Sequence, residues 1–181
     1  MNETPEQRQQ LWSQIVSQVS AELAALPAAE RSWLQAQLGQ VAELQLKIHA
    51  LFEQASGAEI CRNCRGECCG HGSFHFNLAN LLGYLVSGEP LLEPDFSASC
   101  PYLGPSGCQI PVPLRPFNCV TFICEAIETR LPVPQREEFY RLERQLRAAY
   151  LAFDERYRGA SLRGLLQSGA RLRGQAFLQR N

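Results

Sequence analysis

The sequence predicts a mainly α-helical protein in which an N-terminal helical hairpin and a C-terminal helix enclose an irregular, cysteine-rich module. Three observations lead there. Apolar residues recur at helical spacing near both ends of the chain. Nine of the eleven prolines fall within residues 58–134. All eight cysteines lie in that same stretch, between residues 61 and 124.

The first element is an amphipathic helix over about residues 4–25, where Leu11, Ile15, Val16, Val19 and Leu23 share a face. Leu26-Pro27 ends it, because a residue before proline is pushed out of the α region. A second helix over about 29–55 carries Leu34, Leu38, Val41, Ile48, Leu51 and Phe52 on its apolar side and stops at Ser56-Gly57. Two such helices joined by a short turn read as an antiparallel hairpin, residues 1–57. The stripes are best explained by helix packing. His49, inside the second helix, reads as a packing or surface residue.

Residues 58–134 form the middle zone. Asn77 is the expected N-cap of a helix through LANLLGYLV, with Ser87-Gly88 after it. The run LLEPDFSASCPYLGPSGCQIPVPLRPFNC holds too much proline and glycine for long helices or central strands. Ordering such a segment costs entropy with little regular hydrogen bonding to offset it, so cross-links are expected, from disulfides or metal. The last zone, 135–181, starts with a helix whose buried face is Phe139, Leu142, Leu146, Tyr150, Phe153 and Tyr157. Glu137/Arg141 and Glu143/Arg147 are acid-first i,i+4 pairs on its wetter side. A shorter helix, interrupted by glycines, follows in SLRGLLQSGARLRGQAF. The three zones are expected to make one compact domain, as a length of 181 residues suggests.

Composition narrows the setting. The net charge is −1, but residues 130–181 carry eleven Arg against five acids, while the rest of the chain is acidic. An Arg-rich tail raises nucleic acid as a partner, yet the interleaved acids and the lack of aromatic interleaving favour a solvated helix face. The polar start MNETPEQRQQLWSQ does not resemble a secretory signal, and no apolar run reaches the ~18 residues needed to span a membrane. The expected location is cytoplasmic, where thiols stay reduced and structural disulfides are not expected.

The cysteines must then be explained as thiols. Cysteine kept as a small core residue would be scattered through all three zones. Instead the spacing is Cys61-x2-Cys64-x3-Cys68-Cys69, then Cys100-x7-Cys108, then Cys119-x4-Cys124. An x2 spacing lets a short loop aim two thiolates at one ion, with Gly66 free to turn the backbone behind it. Arg65 follows Cys64 where a c-type haem signature needs His, and no βαβ setting supports a thioredoxin-like site. Adjacent side chains point apart, so Cys68 and Cys69 are expected to serve different ions, unless only one of them ligates. Eight thiolates suffice for two tetrahedral sites. His71 and His75 are additional candidate ligands, and the Arg115 guanidinium could donate to thiolate or sulfide sulfurs.

CRNCRGECC, followed by CPYLGPSGCQIP and RPFNCVTFIC, resembles the YkgJ-like CxxCxxCC cysteine-cluster family, described as a zinc- or iron-chelating domain, over about residues 58–128. The resemblance implies that Cys61, Cys64, Cys68, Cys69, Cys100, Cys108 and Cys119 chelate metal, with Cys124 just beyond the Arg-Pro-x2-Cys element. Three residues rather than the family's two separate Cys64 from Cys68. Flagellin lysine methylases resemble this family in their cysteine motif, and there the motif is linked to an iron–sulfur cluster. Three functions follow as expectations for this metal-binding module. One is iron binding, as an iron–sulfur cluster. Another is a structural zinc module that shapes a surface for a protein partner. The third is a metalloenzyme related to protein-lysine methylases. The residues themselves name no reaction: no Gly-rich phosphate loop, Ser-His-Asp series or paired catalytic carboxylates stand out.

Overall fold

The computed structural model describes residues 3–64, 67–105 and 107–181, without the side chains of Glu67, His71 and Ser73. In chain order the α-helices are α1 (Pro5–Ala25), α2 (Ala28–Gln54), α3 (Gly57–Asn63), α4 (Leu78–Ser87), α5 (Phe117–Thr121), α6 (Glu125–Glu128), α7 (Val133–Arg156) and α8 (Leu165–Leu172). Glu67–Phe74 and Val112–Leu114 are 3-10 turns, and β1 (Leu103–Gly104) pairs antiparallel with β2 (Gly107–Cys108). The molecule is mainly helical, and no helix among the described residues is long and apolar enough to cross a membrane.

Helix α1 begins with a capping box. The Thr4 hydroxyl accepts from the Gln7 N–H at 3.3 Å, and the Gln7 side-chain oxygen accepts from the Thr4 N–H at 2.9 Å. Two orphan donors are thereby satisfied. Leu26 and Pro27 are both extended, with ψ of 142° and 152°, as the proline requires.

That junction does not fold α2 back along α1. The antiparallel hairpin expected from the sequence is replaced by two separate pairings, α2 with α7 and α1 with α8. The cause is what each apolar stripe finds to cover it. Trp12 of α1 sits edge-on to Phe76 at 5.2 Å and to Phe96 at 6.3 Å, both from the cysteine-rich zone. Ile15 presses on Gly169 of α8, where even a Cβ would lie 2.5 Å from its terminal carbon. The Glu22 carboxylate accepts from the Phe177 and Leu178 N–H groups at 3.1 and 2.7 Å, which ties the C-terminal segment to α1.

The α2–α7 pair is the centre of the fold. Leu34 and Ile48 of α2 and Phe139 and Leu146 of α7 are fully buried, and every residue of the expected α7 face is in the core. Tyr157, though on that face, is the residue after the helix. On the wet side Arg147 pairs with Glu143 at 2.6 Å as expected. Arg141 does not pair with Glu137; it makes a two-pronged contact to Glu138 at i,i+3, a geometry that a planar guanidinium favours. At the far end of the pair, Arg156 donates to both Glu30 oxygens at 2.6 and 2.7 Å and lies 4.1 Å over the Trp33 ring. Tyr157 donates to Glu30 as well.

Helix α4 starts where the sequence places it. Asn77 accepts from the Ala79 and Asn80 N–H groups at 3.0 and 3.3 Å, and Gly88 ends the helix at φ 74°. The loop before α8 passes so close to the Phe74 carbonyl that Gly164, at φ 104°, has no room for a side chain. Leu165 N–H donates to the Phe76 carbonyl at 2.7 Å. The cysteine-rich zone is thus stitched to both α1 and α8.

Candidate metal centre

All eight cysteines are free thiols, and none is buried: Cys64, Cys68 and Cys119 are exposed and the other five are intermediate. Thiols kept for packing would be inside. Five short segments present them.

Cys61 lies on α3 and Cys64 is its C-cap residue. The x2 spacing expected on a loop is therefore a helical i,i+3 relation, which puts both thiols on one face. The Cys64 thiol donates to the Cys61 carbonyl at 3.4 Å. Cys124 is the N-cap residue of α6, and α6 packs against α3. The Cys61 thiol is pushed up to about 11, first by burial and then by Cys68, Cys64 and Cys124 nearby.

Cys68 and Cys69 lie on the 3-10 turn Glu67–Phe74. With three residues per turn, adjacent side chains diverge by roughly 120°. Cys68 is exposed rather than packed inside. Further along the same turn, a Cβ on Gly72 would sit 3.1 Å from the Cys100 sulfur, so Cys100 lies against this backbone. The Cys100 carbonyl accepts from Leu103 N–H at 3.2 Å, and Leu103 pairs with Cys108 across the ribbon. The Cys69 thiol is pushed up to about 12 by burial, then by Cys68, Cys100 and Cys108.

Cys119, on α5, completes this side. It reaches solvent, yet the surrounding protein pushes its thiol up, with Cys108, Cys100 and Cys69 adding to the shift. His75 Nδ1 is 3.5 Å from the Cys119 sulfur. The side chain of His71 and the whole of Gly66 lie outside the described residues. His49 stacks on Phe52 at 5.6 Å and meets Glu53 at 3.5 Å, in keeping with a packing residue.

Arg115 is the C-cap residue of the 3-10 turn Val112–Leu114 and stands just before α5. Its charge lowers the pKa of both Cys61 and Cys119, while its Nε donates to the Ile110 carbonyl at 3.0 Å. The Arg115 carbonyl is the hub of a buried polar network that sequence reasoning missed. Gln45 from α2, Asn80 from α4 and Tyr150 from α7 all donate to it, the last two at 3.1 and 3.2 Å. Asn80 also donates to the Tyr150 hydroxyl at 3.1 Å. Three helices thereby fix the backbone that leads into Cys119. Asn80 carried a partial signal as the third residue after an Asn cap; Gln45 carried none, and Tyr150 none beyond its place on the buried face.

Among the described residues, no three His, Cys, Asp or Glu side chains surround one point closely enough to hold a metal ion. The thiols are neighbours, and ligation would need their side chains to rotate about χ1. The donor set itself fits a soft metal, since thiolate sulfur suits zinc and iron–sulfur centres. A separate cavity of about 470 Å³ between α2, α4 and residues 111–114 is lined by Leu38, Gly39, Gly83 and Leu114 and has no cysteine in its wall. No family model, curated protein or solved structure matches the chain.

Proposed function

We propose that this protein binds metal through its cysteine thiolates, with iron held as an iron–sulfur cluster as the leading reading and a structural zinc module as the second. The observation that carries the reading is the set of eight free, unburied thiols drawn from separate segments into shared neighbourhoods. Burial first, and crowding second, raise the pKa of these thiols and keep them protonated, so they become ligands only where a cation offsets the charge of the thiolates. The resemblance to the YkgJ-like family points the same way, and its lysine-methylase relatives tilt the choice toward iron. Zinc accepts the same four-thiolate environment, and His75 beside Cys119 adds a nitrogen donor that zinc also accepts. The proposed setting is the cytoplasm, where the thiols stay available to metal.

Anaerobic purification, with a visible spectrum and measured iron, zinc and acid-labile sulfide, tests this. Iron with sulfide and broad visible absorption supports the first reading. A colourless protein containing zinc supports the second. A chain that carries neither metal, and takes up neither after reduction, overturns both.

A further inference from the structure

We infer that the eight cysteines divide into two four-thiol metal sites, Cys61, Cys64, Cys68 and Cys124 in one and Cys69, Cys100, Cys108 and Cys119 in the other, with the vicinal pair split between them. This rests on the metal-binding reading and adds which thiols act together.

The fold carries the division. Cys61 and Cys64 share a face of α3 and its cap, and α6, with Cys124 at its start, packs on that helix. Cys108 lies on β2 opposite Leu103, whose N–H donates to the Cys100 carbonyl at 3.2 Å, and the Cys100 sulfur lies against Gly72 of the turn that bears Cys69. Cys119 enters the second group through His75, which follows the same turn. Cys119 and Cys124 are separated by one turn of α5 and an extended stretch, enough to send them to opposite groups. The 3-10 geometry at Cys68-Cys69 does the rest, since adjacent side chains on it face different ways. The thiol neighbours follow the same division except at the vicinal pair itself: Cys61 feels Cys68, Cys64 and Cys124, and Cys119 feels Cys108, Cys100 and Cys69. Cys69 feels Cys68 as well as Cys100 and Cys108, so ligation at two sites would turn the adjacent thiols apart.

The division also explains the placement of Arg115. Four thiolates around one divalent ion leave a net charge of about −2 per site. One guanidinium acts on a thiol of each group, Cys61 and Cys119, and so offsets charge at both. Its position is held by the buried network on its own carbonyl. Thiols that ligate release their protons, so each site fills with proton release.

The test uses the full-length chain, reduced and metal-free, titrated with zinc(II), with bound zinc counted by elemental analysis after desalting. Wild type is expected to hold about two ions per chain, the capacity of two four-thiolate sites. Cys64→Ser should hold about one. The same-group double variant Cys64→Ser/Cys124→Ser should also hold about one, while the cross-group variant Cys64→Ser/Cys108→Ser should hold about none. Equal loss in the two double variants, or a wild-type capacity of about one, overturns the division and leaves metal binding standing. A wild type that binds no zinc and carries no iron as isolated overturns the metal-binding reading itself. Both double variants bear the same number of substitutions, and helical circular dichroism reports whether each folds. Should a variant not fold, the wild-type ion count together with its alkylation map decides the matter. After partial removal of zinc by a chelator, alkylation and peptide mapping should find cysteines modified in the two proposed blocks of four, and blocks that mix the groups overturn the proposal.

Discussion

The α2–α7 pair and the cysteine-rich zone are stabilised by different physics. The pair is built from long helices whose facing side chains, Leu34, Ile48, Phe139 and Leu146, exclude water completely. Apart from α4, of ten residues, the zone has helices of only four, five and seven residues and two-residue strands, closed by isolated turn bonds such as Leu114 N–H to the Pro111 carbonyl at 2.9 Å. It borrows its core by inserting Phe76, Ile110 and Phe117 into surfaces that the long helices supply. Its own cysteines stay outside that core. A helix pair of this kind holds its shape through burial, whereas a zone so poor in regular hydrogen bonding needs additional cross-links, and thiolate–metal bonds would serve.

The largest expected effect breaks the comparison apart. With a strong chelator, limited proteolysis should cut residues 58–134 much faster than in the metal-loaded protein, while α2 and α7 stay protected. The zone's resistance would have to be equal in both states for the metal to be irrelevant to its order. The converse perturbation is Leu146→Ala. Removing a fully buried leucine from the α2–α7 interface should cost about 2–5 kcal/mol. Thermal unfolding should register that loss to a similar extent in metal-loaded and chelated protein.

A smaller effect is expected where the two regions are joined. Tyr150→Phe removes a hydroxyl that donates to the Arg115 carbonyl and accepts from Asn80, at a cost of about 1–3 kcal/mol. The loosening should be local. Hydrogen exchange should accelerate in peptides covering residues 110–121 more than in those covering the middle of α2. A uniform acceleration across both would mean that the hub supports the whole core rather than the backbone leading into Cys119.

The helices were legible because burial imposes its period on the sequence, and the Asn77 cap because its side chain bonds locally. What covers a stripe is a different matter. The residues Ile15 and Val19 announce a buried face without saying that α8 will meet it, with Phe76 and Phe96 beside Trp12, so the hairpin expectation failed. The gathering of cysteines was visible as spacing, as was the divergence of the adjacent Cys68 and Cys69, but the proposed grouping of the other six was not, because it depends on a 3-10 turn and on α6 returning to α3. Gln45, and the hydrogen-bonding role of Tyr150 beyond its place on the buried face, were invisible for a related reason. A polar side chain becomes a buried hub only through partners distant in sequence, here Asn80 and the Arg115 carbonyl.

The smallest expected effect lies at the end of the scaffold away from this hub, and its pH dependence sharpens the contrast. Arg156 beside Glu30 holds that carboxyl down to about 2, against an ordinary value of 4.5. A carboxyl depressed by folding adds stability that is fully present above its unfolded pKa and is lost as pH falls through its folded one. The contribution should therefore be intact at pH 7, decline below about 4.5 and vanish near 2. Glu30→Gln should lower stability by about 1 kcal/mol at neutral pH, since the pair lies near the surface and its bonds are charge-assisted. Melting curves of wild type and variant should converge as pH approaches 2. The gap at pH 7 should also be unchanged by chelator, because the bonds of Glu30 run to Arg156 and Tyr157, outside the cysteine-rich zone. A gap that closes when metal is removed would mean that scaffold and cysteine zone share one cooperative unit, and the distinction between the two regions would fall.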